Sequence, residues 1–236
     1  MNKRGFTILE LLVVLAVMGV MIGVLGFSFI GVHQSKLGDA QRSLISLLQK
    51  ARSLAVSNAT ECRIIVAGDS EDPNKYLRQA MLIYRDKNNT KYWEIVEDIY
   101  LPEEIWFVSG ELIPDSKDWP SDAKCLWTGI EDDEPFKLEP SKKSNNSGER
   151  ETKVFEEVEE EEDGQLFFYI SCNSRGDYNS KSFPQMPKLV VSKGKLLPNA
   201  TGVISPMFVD PRAIAGLQIQ PFGGILTLND QDFSYE

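Results

Sequence analysis

A run of apolar residues from Ile8 to Ile30 carries one charge, Glu10, and follows the basic residues Lys3 and Arg4. Nothing else in the chain constrains it as strongly. Roughly 20 apolar residues at ~1.5 Å rise per residue cross the hydrocarbon core of a bilayer, and a helix spans it with every backbone group satisfied. The run therefore predicts a membrane helix. A carboxylate inside such a helix costs roughly 2.5–3.5 kcal/mol at mid-bilayer, and residues of this kind are usually functional and partnered. A cleavable secretory signal fits poorly, because the run exceeds the usual apolar core of about 7–15 residues and no A-x-A-like site follows it. The chain continues instead as Gly31-Val32-His33-Gln34-Ser35-Lys36. A plain signal anchor explains the length and leaves Glu10 without a reason.

The segment Arg4-Gly5-Phe6-Thr7-Ile8-Leu9-Glu10-Leu11-Leu12 resembles the processing site of type IV pilins and type II secretion pseudopilins. Glycine, aromatic residue, Thr-hydrophobic pair and glutamate all stand at that family's spacing. The resemblance implies that a prepilin peptidase cuts between Gly5 and Phe6 on the cytoplasmic side and N-methylates Phe6. It implies that Glu10 helps the subunit enter a growing helical filament. The implied partners are the peptidase, other pilin or pseudopilin subunits, an inner-membrane assembly platform and membrane lipid, with no cofactor. Elementary electrostatics agrees. After cleavage the ammonium of Phe6 stands at i,i+4 from Glu10, the spacing at which groups on a helix meet. In a helix bundle of low dielectric either charge alone is costly, and pairing offsets part of that cost. Pairing with a neighbouring subunit's ammonium then favours one axial register.

Charge and length bound the rest. Of the 236 residues, about 175 remain beyond the helix, enough for one domain with its own core. The formal net charge is −10, and loss of Lys3 and Arg4 makes it more negative. This balance argues against nucleic acid as a partner, since phosphate binding needs clustered Lys and Arg. Basic residues before the span and a polar domain after it place the N-terminus in the cytoplasm and the C-terminal domain on the periplasmic or outer side. The resemblance implies a single-pass protein of the bacterial inner membrane with a periplasmic domain.

The predicted layout is a leader over 1–5, a transmembrane or filament-core helix over 6–32, the amphipathic half of that helix over 33–60, and a β-rich domain over 61–236. Leu37, Ala40, Leu44, Leu47, Leu48, Ala51, Leu54 and Ala55 recur every three or four residues, the signature of one apolar stripe. No proline precedes Pro73, so no kink of that kind is expected. Gly19, Gly23 and Gly26 are compatible with close helix packing and equally with tolerated glycines in an apolar span. From Glu61 the period changes. Strands are expected at Cys62–Ala67, Leu77–Arg85, Tyr92–Ile99, Ile105–Val108, Gln165–Cys172, Leu189–Ser192, Ala215–Gln220 and Gly224–Leu228, with Asp86–Thr90 as a hairpin loop. The stretch 115–163 is dense in charge and ends in Glu156-Glu157-Val158-Glu159-Glu160-Glu161-Glu162-Asp163. Like charges at that density repel and bury little, which predicts a mobile surface insertion. The fold class is α+β: a long N-terminal helix packed at its C-terminal half on an antiparallel sheet. Ala51-Arg52 with Ala55, then Phe167-Phe168 with Gly176, then Ile219…Gly223-Gly224-Ile225 resemble H-type minor pseudopilins and FimT-type minor pilins.

No catalytic constellation stands out, so an enzyme is not expected. The one histidine, His33, lies at the end of the span, so a nucleophile in the domain has no imidazole base. Asp86-x-Asn88-x-Thr90 lacks the glycine and closing glutamate of a calcium loop. Asn173, Asp177 and Asn179 could offer oxygens to calcium, and turn chemistry explains them better. The same holds for Arg175-Gly176-Asp177 as an adhesion tripeptide. The three cysteines, Cys62, Cys125 and Cys172, show no metal spacing. In an oxidising compartment one pair could form a disulfide, Cys125 with Cys172 being preferred, and three free thiols fit equally. The expected function is a structural minor subunit of a type II secretion pseudopilus or type IV pilus. Alternatives are a pilus-tip module for adhesion or DNA uptake, which would want a basic or aromatic groove, and a simple membrane-anchored binding domain.

Overall fold

The computed structural model describes residues 8–112, 118–127, 136–143, 152–158, 164–179, 186–198, 204–220 and 222–234; side chains are described for these except at 9–11, 19–35, 111, 142–143 and 152–153. The chain divides into two compact units, residues 1–36 and 37–236. One α-helix, α1 (Ile8–Asn58), occurs among the described residues. Among these residues no helix is long and apolar enough to cross a membrane. The run expected to do so, 6–32, lies in large part outside the described side chains.

Within the second unit the helix buries the stripe that its sequence announces. Ala40, Leu44, Leu47, Leu48, Ala51 and Ala55 are each at most 1% exposed, while Asp39, Arg42, Gln49, Lys50 and Arg52 face solvent. The helix ends in a Schellman pattern: Thr60 N donates to Ala55 O at 3.2 Å, Ala59 N donates to Val56 O at 3.3 Å, and Ala59 takes the left-handed φ of 48°.

Among the described residues twelve strands follow: β1 (Cys62–Ala67), β2 (Gln79–Arg85), β3 (Tyr92–Tyr100), β4 (Ile105–Phe107), β5 (Phe136–Lys143), β6 (Thr152–Glu157), β7 (Gln165–Cys172), β8 (Tyr178–Asn179), β9 (Lys188–Pro198), β10 (Ile204–Phe208), β11 (Ile214–Ile219) and β12 (Ile225–Asn229). The first sheet runs β1-β2-β3-β6-β5-β7 and closes on itself through β1–β7, with β8 added to β7. Every pairing in it is antiparallel. Alternation along each strand gives the ring two faces. Ile65 and Ala67 of β1 cluster with Met81, Ile83, Trp93, Phe136, Leu138, Phe155 and Phe167, drawn from all six strands, so this cluster fills the ring. Cys62, Ile64 and Val66 of β1, with Leu82, Ile170 and Cys172, belong instead to the larger core that includes the helix stripe. Arg63 shares the inward parity. Its guanidinium carbon lies 4.4 Å from the ring centres of Trp93 and Phe136 and 4.3 Å from that of Tyr169, and its Nε donates to Glu61 at 2.8 Å. Three aromatic faces and one carboxylate offset the burial of that charge.

The second sheet centres on β9, which pairs with β4, β10 and β11, and β11 pairs with β12. Gln41 ties the helix to it, its Nε2 donating to Gly216 O at 3.0 Å and Leu228 O at 2.9 Å.

Two expectations are corrected. The acidic stretch does not lie wholly outside the fold: Phe136–Lys143 and Thr152–Glu157 are strands of the ring, with Phe136, Leu138, Val154 and Phe155 buried. Trp119, Ala123, Cys125 and Trp127 are buried as well. A few large apolar residues at strand spacing sufficed, because their charged neighbours point outward. The segments 144–151 and 159–163 lie outside the described residues. Of the two cysteine readings, the Cys125–Cys172 pair is absent and the three free thiols are what the structure shows, all of them buried. Cys125 Sγ instead donates to Val190 O at 3.2 Å and accepts from Val190 N at 3.1 Å, while Cys172 stands on β7 opposite Cys62.

Candidate functional site

Gly5 and Phe6 lie outside the described residues, and Glu10 lies on α1 with its side chain outside them. What the described side chains show next is unusual for a water-facing helix. Every residue from Leu12 to Met18 is exposed, the large apolar ones between 46% and 65%, and Ile8 reaches 86%. Seven consecutive positions cover nearly two turns at 3.6 residues per turn, so the apolar surface runs all the way round. A helix apolar on every side is one that something apolar surrounds.

A second concave feature lies wholly within the other unit. Ile45, Leu48, Gln49 and Arg52, at helical spacing on α1, line a cleft of ≈ 270 Å³ with Tyr178, Gly223 and Ile225. The Tyr178 hydroxyl donates to Leu48 O, and burial pushes its pKa up, so it stays neutral in that role. Two turns press onto the helix beside Arg52. A Cβ at Gly176 (φ +85°) would stand 3.0 Å from Val56 Cγ2, and one at Gly223 (φ +80°) would stand 2.5 Å from Arg52 Nη1. Both positions need glycine for conformation and for space. The cleft is smaller than common ligand pockets of roughly 300–1,000 Å³, and its lining holds no acid–base pair. The turn residues around Gly176 and Gly223 announced bends in the sequence, but nothing there marked Tyr178 as the residue that bonds the helix backbone.

The remaining candidates resolve into turns. Asp86 Oδ1 accepts from Asn88 N at 2.9 Å, and Asn89 Oδ1 accepts from Lys91 N at 3.1 Å, closing the β2–β3 hairpin. Asn173 Oδ1 accepts from the backbone of Arg175 at 2.9 Å and Asp177 at 3.0 Å, and Asn173 Nδ2 donates to Asp177 at 3.5 Å. These oxygens are occupied by their own loop. Among the described residues no group of three or more His, Cys, Asp or Glu could hold a metal ion. The side chain of His33 is outside them.

Comparison with known proteins bears on the N-terminus. Residues 1–26 match the family described as the prokaryotic N-terminal methylation motif. No curated protein matches the chain. Two solved structures of the minor pseudopilin EpsH from the type 2 secretion system of Vibrio cholerae are similar to it. One aligns at 11% identity and a TM-score of 0.37 over 83% of this chain and 96% of its own. The other aligns at 10% identity and a TM-score of 0.38 over 85% of this chain and 99% of its own.

Proposed function

We propose that this chain, whose residues 1–26 match the prokaryotic N-terminal methylation motif, is a minor structural subunit of a type II secretion pseudopilus or type IV pilus and has no enzymatic role. A prepilin peptidase cleaves between Gly5 and Phe6 and methylates Phe6. The apolar helix then resides in the bacterial inner membrane, N-terminus cytoplasmic and C-terminal domain periplasmic, until an assembly platform moves it among other subunits. The observation that carries this reading is the all-round exposure of Leu12 to Met18 within the segment that matches the methylation motif. Lipid covers that surface before assembly, and neighbouring helices cover it afterwards. Glu10 supplies the partner for a neighbouring subunit's Phe6 ammonium and so sets the axial step.

Intact-mass and N-terminal analysis of the protein from its native membrane tests the processing step. A chain that begins at N-methylated Phe6 supports it, and one that begins at Met1 in cells with active peptidase overturns it. The role of Glu10 is tested separately. Glu10→Ala leaves cleavage intact and lowers incorporation into sheared filaments by more than about tenfold, since leaving one charge of a buried pair unpartnered costs several kcal/mol. Normal incorporation of that variant would end the assignment.

A further inference from the structure

We infer that Cys62 and Cys172 form a disulfide across the β1–β7 seam when the domain reaches an oxidising compartment. The two residues are direct register partners on antiparallel strands. Their side chains share a face of the sheet with Ile64, Val66 and Ile170, away from the interior of the ring. At the other end of this ladder Gly68 N donates to Leu166 O at 3.0 Å. Counting back from it in steps of two places Cys62 and Cys172 at a hydrogen-bonded position, where opposed Cα atoms stand about 5.5 Å apart. That Cα separation falls inside the span of about 4.4–6.8 Å that disulfides bridge. The Cβ atoms, about 5 Å or more apart at such a position, must draw together to within about 4.5 Å by a small shift at this end of the ladder. The third thiol is not a competitor, because Cys125 bonds Val190 in both directions. Cys172 makes only a 3.8 Å contact to Asn173 O.

Burial pushes the Cys62 thiol up to about 12, and the neighbouring Cys172 adds to the rise. Burial likewise holds Cys172 near 12. Both groups therefore stay protonated and inert while the strands are closed, and oxidation belongs to the period before β7 docks on β1. The chemistry balances with a thiol–disulfide oxidoreductase in its disulfide form as oxidant. One cysteine thiolate attacks that disulfide and gives a mixed disulfide. The second thiolate displaces the oxidoreductase sulfur, closing the Cys62–Cys172 bond. The two thiol protons and two electrons leave together on the oxidoreductase, which departs as a dithiol. At 0% and 1% exposure, the finished bond is screened from reductants. It ties the first strand of the ring to the last, with β2, β3, β5 and β6 in the loop between them.

This inference rests on the periplasmic placement proposed above, and the experiment separates the two. The full chain is taken from its native membrane without reductant, unfolded in an alkylating reagent and digested. The expected result is one alkylated thiol, Cys125, and a linked peptide pair containing Cys62 and Cys172, lighter by two hydrogens than the reduced pair. C125A keeps the linked pair, whereas C62A and C172A each free the remaining partner for alkylation. Should those variants fail to fold, the wild-type digest still decides. If all three thiols are alkylated, the reduced protein is refolded in oxidised glutathione. Formation of the same pair then upholds the pairing and overturns the compartment. Three alkylated thiols in both arms overturn the disulfide.

Discussion

Two stretches of one helix meet opposite conditions. Leu44 to Ala55 buries its apolar residues at every third or fourth position against strands of the same chain. Leu12 to Met18 is apolar on all sides, and each of its large residues is at least 46% exposed. Among the described residues the stripe has a partner and the cylinder has none. A stripe asks for one packed layer, which a sheet provides. A cylinder asks for a surrounding medium, and that medium must come from outside the chain. The first stretch therefore reports on stability, and under the proposed function the second reports on residence and assembly.

Substitutions can break or sharpen that contrast, and the ring interior sets the scale for them. Phe136 is buried against Trp93 at 5.8 Å and Tyr169 at 5.0 Å between ring centres. Phe136→Ala lowers the stability of the detergent-solubilised chain by about 3–5 kcal/mol in urea unfolding. A neutral result would return β5 to the status of a surface insertion. Leu48→Ala, in the packed half of the helix at 0% exposure, costs about 2–5 kcal/mol in the same assay. Gly223→Ala costs about 1–2 kcal/mol, because its left-handed φ strains a side chain that Arg52 must also make way for. Leu15→Ala shifts domain unfolding by no more than about 0.5 kcal/mol. It nevertheless weakens retention in the membrane fraction on carbonate washing. If Leu15→Ala instead destabilised the domain as Leu48→Ala does, the division between the two stretches would collapse.

Much of this was legible in the residues because it follows from strong periodicities. The helix stripe, the change of period at Cys62 and the strands with β-branched runs are each local signals. Glu10 stood out because one charge in an apolar run is expensive wherever it lies. The ring was not legible. β5 and β6 carry Phe136, Leu138 and Phe155 among so many charges that average composition hid their alternation, and β8 has only two residues. Closure through β1–β7 is a long-range pairing that no short window contains. The cysteine pairing failed for the same reason, since only the register shows that Cys172 faces Cys62 and not Cys125. Arg63 gave no sign of its aromatic surroundings, because Trp93, Phe136 and Tyr169 reach it from three separate strands.

The seam that shuts the ring also dictates an order of synthesis. β1 can pair with β2 as soon as the first hairpin emerges, but its other edge must wait until residue 172 has left the ribosome. During that interval the nascent chain presents a bare row of N–H and C=O groups, the template to which stray strands add. The entropy of bringing the two ends together grows only with the logarithm of the loop, so the delay is set by translation and translocation more than by search. Anything that slows delivery of β7 prolongs the period in which a half-built subunit can pair with the wrong neighbour.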